Sequence, residues 1–501
     1  MSEPSVLREP AEIVQVVDAF DDDDLFDLHL SLGYESTWKS AKIMRESSLT
    51  DSGFSDGGYA RANLNVAEYS QRVSRLNTRA DIGLFKDVAL IVRLPIVLSD
   101  DRELKGTGGS DSLASQRYAI AGQPGEQLFS LPFKSPTRSG IEYLAIGLDV
   151  APFNQARDST KPTWLIGIEG RFDVSEPMHA CNKNPQPLNS TSGGAQVQCA
   201  NRSDINRNGV KGEFGTDTNG APVPGGSLEG NFSGGNKPGI SRGVTALEGH
   251  TIVSRRVKYI EPYGGFRALF EFQNDSSEFG ATDLQGSLVN HPPLRGTMIF
   301  GLNVIPWEIR DAFQRLAIDF RFTGTYVSEG RDYSELFDAL GSSDAASLRY
   351  PNYDQYQASI DSKTNTKRLG TDGKPISIVN PNSQKVYFTG LTDVQQHGVY
   401  TLSTSVNWQV GEFVKFNVGA AYTLEQAHFI TFDQACNPDF TSDIEKSGPC
   451  RGTRTNANGS STVASGIPNP NYRKTINDPG HRFKVSGATD FDAWINATVM
   501  F

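Results

Sequence analysis

Apolar and polar residues alternate one for one along this chain, in stretches about ten residues long that recur about twelve times. Phe26, Leu28, Leu30, Leu32 and Tyr34 alternate with Asp27, His29, Ser31, Gly33 and Glu35. Leu316, Ile318, Phe320 and Phe322 alternate with Arg315, Asp319, Arg321 and Thr323. Tyr400, Leu402, Val406 and Trp408 alternate with Thr401, Ser403, Ser405 and Asn407. A helix needs an apolar period near 3.6, whereas strict alternation sorts side chains onto the two faces of a strand. The chain is therefore all-β. A soluble antiparallel sheet alternates in the same way, so a sandwich and a membrane barrel both remain open at this point.

The spacing between strands separates the two. Strands are expected at 25–38, 59–84, 88–98, 140–150, 163–172, 248–260, 263–273, 297–305, 315–328, 398–410, 414–428 and 480–501. The connections at 85–87, 261–262 and 411–413 are tight, and those at 151–162 and 306–314 are moderate. Between them lie long polar segments at 39–58, 99–139, 173–247, 274–296, 331–397 and 429–479. Short turns at one end and long loops at the other are the layout of a transmembrane barrel. The expected fold is an antiparallel up-and-down β-barrel of about 12 strands over residues 25–501, preceded by an acidic tail at 1–24. The segment 59–84 exceeds the roughly 9–11 residues that cross a bilayer. Splitting it would move the count to 14.

Composition excludes other classes. With 47 Lys+Arg against 58 Asp+Glu the net charge is -11, which argues against a nucleic-acid partner. No apolar run reaches the roughly 18 residues of a membrane helix; the best stretch, 88–98, is interrupted by Arg93 and Pro95. Residues 1–10 lack the basic and apolar regions of a secretory leader. The expected form is a mature chain rather than a cytoplasmic one, because the four cysteines fall into two local pairs. Cys181 with Cys199 and Cys436 with Cys450 would close short loops in an oxidising compartment. Four unrelated thiols are the alternative.

One strand face is apolar: Leu90, Val92, Leu94 and Ile96, Trp164, Ile166 and Ile168, and Met298, Phe300, Leu302 and Val304. On a barrel it would face lipid, with Tyr34, Trp164, Tyr259, Tyr326, Trp408 and Phe501 as interfacial girdles. The other face carries both signs of charge. A Lys or Arg facing lipid at the midplane costs roughly 2–4 kcal/mol, so these residues are expected to line the lumen. They are Arg79, Asp81, Arg93, Glu169, Arg171, Arg256, Lys258, Arg267, Glu271, Asp319, Arg321, Lys415 and Glu425. The apolar run at 128–133, in the loop 99–139, needs burial at the lumen mouth or in an external lobe.

The loop 173–247 contains Asp204, Asn206 and Asn208 before a glycine, and Glu213 beyond it. Oxygen ligands at alternate positions resemble a calcium loop. Position twelve, however, is Gly215 where an acid is expected, so an ordinary Asn/Gly turn competes. No cofactor is required by the pattern. No HExxH or phosphate loop is present. An enzyme is not expected, with a rim hydrolase using one of the scattered histidines as the residual alternative.

The last strand ends at Phe501, with Val499, Ala497, Ile495, Ala493 and Phe491 at alternate positions. In this it resembles the bacterial outer-membrane β-barrel proteins, whose last strand ends in an aromatic residue. The resemblance implies an outer-membrane location in a Gram-negative envelope, contact with lipid and lipopolysaccharide, and barrel-assembly machinery reading Phe491, Ile495, Val499 and Phe501. The expected function is a porin-like channel for passive diffusion of small polar solutes or ions. The alternative is a surface-display, adhesion or structural barrel with a plugged lumen and binding loops. Asp21 to Asp24 in the tail would then dock a periplasmic partner within an envelope-spanning complex.

Overall fold

The alternating stretches become twelve antiparallel strands that close on themselves. The structure, a computed structural model, describes residues 16–17, 19, 27–50, 59–107, 120, 122, 126–183, 198–199, 237–274, 277–279, 286–343, 345–349, 388–439 and 450–501. The barrel strands are β1 (Leu28–Thr50), β2 (Tyr59–Phe85), β3 (Val88–Gly106), β4 (Leu144–Phe153), β5 (Thr163–Phe172) and β6 (Val244–Ser254). They continue as β7 (Ile260–Gln273), β8 (Arg295–Ile309), β9 (Gln314–Val327), β10 (His397–Gln409), β11 (Val414–Glu425) and β12 (Phe483–Met500). Each pairs with the next, and β12 returns to β1 from His29↔Met500 to Arg45↔Phe483. Closure leaves no sheet edge, so backbone groups are satisfied without water.

Two expectations change. Residues 59–85 form one unbroken strand, paired with β1 from Thr50↔Tyr59 to Leu28↔Ile82. The count is the expected twelve, without the split that would have made it 14, but 39–50 and 99–106 are strand rather than loop. At 23, 27 and 19 residues, β1 to β3 are much longer than a bilayer crossing and carry the wall beyond it. The β6–β7 reversal is not at 261–262 but at 258–259, closed by reciprocal bonds between Val257 and Ile260 at 2.7 and 3.2 Å. Lys258 takes the positive φ of 56° that the turn demands. The Pro-Tyr-Gly-Gly run that suggested a turn lies inside β7. Gly265 is needed there because a Cβ would meet the Thr251 carbonyl at 2.4 Å.

The outward face is predominantly apolar, with Ile168, Phe300, Leu402 and Ile495 all more than half exposed. On β12 the aromatic residues Phe491 and Phe501 both point outward, ten positions apart. At about 3.4 Å per residue and a tilt near 40°, that separation spans about 26 Å of height. This matches the roughly 25 Å apolar band of a membrane barrel. Phe85, Tyr259, Trp307 and Phe413 mark the short-turn level, and Phe172, Phe272 and Tyr326 the opposite one, all exposed. Trp164 is half-buried, 5.8 Å from the Phe153 ring.

Both ends of the lumen are filled. At the long-loop end Leu128, Phe129, Phe133, Leu336, Leu340 and Phe388 pack on the inner wall of the extended strands, against Ile43, Tyr69, Leu104 and Phe483. The apolar run of the loop 99–139 is therefore buried in the mouth. Arg138 ties this lid together. It donates two hydrogen bonds to Asp338, at 2.6 and 3.0 Å, and one to the His179 carbonyl at 2.9 Å. Asp338 also accepts from Ser135 Oγ and the Cys181 amide. One buried ion pair thus joins three loops. Disulfides Cys181–Cys199 and Cys436–Cys450 close their loops as paired in sequence. At the short-turn end Val16 and Val17 are buried among Ala89, Ala151, Leu165, Ile252, Tyr263 and Ile299. These wall residues share the inward parity, so the segment sits inside the barrel. Ala19 donates its amide to the Phe85 carbonyl at 3.3 Å.

Candidate functional site in the barrel lumen

Strand parity places most of the charged set inside, where the groups pair both along one strand and between strands. Arg93 of β3 forks onto Glu169 of β5; Arg171 bonds Glu169 at 2.9 Å and also reaches Glu248 of β6. Arg267 of β7 lies 3.1 Å from Glu248. Strands β3, β5, β6 and β7 are thereby linked in one ionic belt that passes over β4. Closer to the short turns, Arg79 pairs with Asp81 at 2.8 Å. Tyr263 donates to Asp319 at 2.7 Å and accepts from Arg321 at 2.9 Å. Its ring lies across Gly301, where a Cβ would come within 2.1 Å of the ring carbon that carries the hydroxyl. Lys415 is buried on the same inner face.

Above the belt, Glu271 pairs with Arg242 at 3.1 Å, and Glu425 with Lys39 at 3.1 Å. Asp332 lies outside the membrane level and meets both Arg242 at 2.9 Å and Arg295 at 3.3 Å. Burial would push its carboxyl up, but the two guanidinium groups hold it below the usual carboxylate range.

Two of the residues expected in the lumen are elsewhere. Arg256 belongs to the β6–β7 turn and pairs with Glu308 at 2.6 Å, at the short-turn rim. Lys258 is exposed at the tip of that turn. Both were displaced by the shift of the hairpin. Asp204, Asn206, Asn208, Glu213 and the acidic run Asp21 to Asp24 lie outside the described residues.

The charges surround a cavity of about 480 Å³. Arg75, Arg79, Arg93, Arg171, Arg242 and Arg295 line it, against Glu35, Glu142 and Glu271. Arg75 bonds Glu142 at 3.0 Å and Glu35 at 3.2 Å. The positions of Arg75 and Glu35 follow from parity and were open to the same argument as Arg79. Arg242 carries no such signal, because it stands in a Gly/Ser/Asn-rich loop and only folding brings it over the lumen.

No protein-family model matches the chain, and no curated protein does. Solved structures similar to it include an outer-membrane channel from Pseudomonas putida F1, at 8% identity and TM-score 0.31 over 98% of this chain and 99% of that one. A Pseudomonas aeruginosa FadL homologue matches at 8% identity and TM-score 0.29, covering 95% of this chain and 90% of the other. The P. putida toluene transporter TodX matches at 10% identity and TM-score 0.28, over 100% and 93%. The fold assignment rests on this chain's own strands.

Proposed function

We propose that this barrel resides in a bacterial outer membrane and is a channel, passing small polar solutes through an arginine-rich waist. The observation that carries the reading is the cavity inside a closed, outwardly apolar cylinder, with six arginines to three glutamates on its wall. Such a wall offers guanidinium hydrogen-bond donors, each answered by a carboxylate, to a solute that has shed part of its water. Small anions and neutral polar solutes fit that chemistry better than cations. An aromatic hydrocarbon would find few partners among these charges, so the lumen favours polar cargo.

The filled ends support a second reading, a closed barrel that displays its loops. In that case the stitched lid around Arg138 and Asp338 is the platform for a surface partner. Lipopolysaccharide around the outer rim, assembly machinery reading Phe491 to Phe501, and a periplasmic partner of the acidic tail belong to either reading. Planar-bilayer recording of the purified barrel separates them. The channel reading expects discrete conductance steps with anions carrying the larger share of current. Complete absence of current at any voltage, from folded protein, removes it.

A further inference from the structure

At the outer end of the lumen a second cavity of about 440 Å³ is lined by His397, Glu425, His428, Lys39, Glu335 and Asp490, among others. His397 opens β10 and Glu425 closes β11; His428 follows three residues later. The two imidazoles are stacked, with centroids 3.8 Å apart and planes 10° from parallel. His397 Nε2 lies 3.1 Å from Glu425 Oε1, and His428 Nε2 lies 3.6 Å from the same oxygen. Both rings are nearly inaccessible to solvent.

The opposite nitrogens decide which atoms are available. His397 Nδ1 bonds the Gln395 carbonyl at 2.9 Å, and His428 Nδ1 bonds the Gln426 carbonyl at 2.9 Å. A carbonyl has no hydrogen to give, so each Nδ1 is the donor and each Nε2 is left as the ligand atom. This is the outer-shell arrangement that orients metal-binding histidines. The two Nε2 atoms stand side by side and face one carboxylate oxygen, all three within 4.8 Å of one another, and a rotation of the stacked rings would aim both lone pairs at one ion. A proton on one ring answers one of these contacts, whereas a divalent ion answers all of them. Ligand atoms about 2.0–2.1 Å from a tetrahedral ion stand about 3.3–3.4 Å apart. The separations from Glu425 Oε1, 3.1 and 3.6 Å, bracket that spacing.

The surroundings are charged in compensation. Lys39 holds Glu425 through its other side, at 3.1 Å, and is itself answered by Glu335 at 2.9 Å. Asp490 lines the same cavity and keeps a buried Oδ1 with no hydrogen-bond partner. It adds negative charge to the cavity beside the proposed ion.

We propose that His397, His428 and Glu425 bind a divalent transition-metal ion of the zinc class at the outer mouth of the lumen. The two-imidazole, one-carboxylate set favours zinc, copper or nickel over magnesium and calcium, which prefer all-oxygen shells. The ion would pin the β10–β11 rim to the segments entering and leaving it, and its remaining position would face the cavity. The proposal does not depend on whether the lumen conducts.

The test uses the full chain, folded in detergent and stripped with a chelator, then titrated with Zn²⁺ by calorimetry and with Co²⁺ by visible absorption. One ion per chain is expected, with a ligand-field spectrum of low-symmetry Co²⁺. Replacing an outer-shell partner typically costs 10–100-fold in affinity. His428→Ala and Glu425→Gln, which remove ligands, are therefore each expected to weaken binding at least about tenfold. His250→Ala, at another lumenal histidine, should leave it unchanged. Unheated electrophoretic mobility reports that each barrel has folded, and His428→Gln replaces His428→Ala if the latter does not fold. Absence of binding to the wild-type chain, or undiminished binding to folded His428→Ala or its Gln substitute, overturns the proposal. So does equal affinity for Mg²⁺.

Discussion

Val16→Asp is expected to unseat the segment that fills the inner end of the lumen. Val16 is only 3% exposed and lies in a wall that includes Ala89, Leu165, Ile252 and Ile299. Burying a valine side chain is worth about 1.5–3 kcal/mol. Bringing a carboxylate into the same wall adds a desolvation cost of several kcal/mol. A change of at least about 4 kcal/mol alters the ratio of seated to unseated chains roughly a thousandfold, since 1.4 kcal/mol is tenfold. Val17→Cys is the reporter. All four native cysteines are in disulfides, so the new thiol is unique. In an otherwise native chain it should react slowly with an impermeant maleimide. Adding Val16→Asp should raise the labelling rate by up to that factor and raise single-channel current. A thiol that stays protected refutes the energetic argument. A thiol that becomes reactive while the current stays the same refutes the view that this segment obstructs the path.

Three further outcomes follow from the same geometry. Arg138→Ala leaves Asp338 buried without its countercharge, a loss of about 3–5 kcal/mol for a buried pair; exchange of amides in 126–143 and 333–343 should accelerate while β4 to β12 stay protected. Burial, and then the neighbouring Asp433, raise the Asp393 carboxyl well above its ordinary range, against Arg331 at 3.7 Å and with Glu329 adding to the rise. A raised folded pKa means the lid is most stable below the unfolded carboxylate value, near 3.9, and loses stability as pH climbs through the folded one. Exchange at 388–396, corrected for intrinsic rate, should therefore quicken with rising pH, and Asp393→Asn should flatten that dependence. Arg242→Gln together with Arg295→Gln should lower the anion-to-cation permeability ratio in bilayers; an unchanged ratio would show that the waist does not select.

Much of this architecture was legible in one dimension because strand parity is a local property. Once Leu90 is outward, Arg93 must be inward, and Glu169 and Arg321 follow by the same count. The errors arose where local cues mislead. Gly264 and Gly265 read as a turn, yet both lie within β7 and Gly265 serves close strand contact, while the real reversal at Lys258 has no glycine to announce it. That slip carried Arg256 and Lys258 out of the lumen. The length of β2 was visible, but not that β1 pairs with it, through one bulge at Ile43/Met44, as far as Thr50.

Alternation, the even strand number, the local cysteine pairs and the aromatic terminus were fixed by residue order, because each depends on neighbours within one strand or loop. Which charges meet was decided only by closure. Arg138 finds Asp338 across 200 residues, and Val16 finds the inner wall. His397, Glu425 and His428 meet because one hairpin brings two strand ends together. Contacts of that kind depend on register and on the paths of the loops, which no period in the sequence encodes.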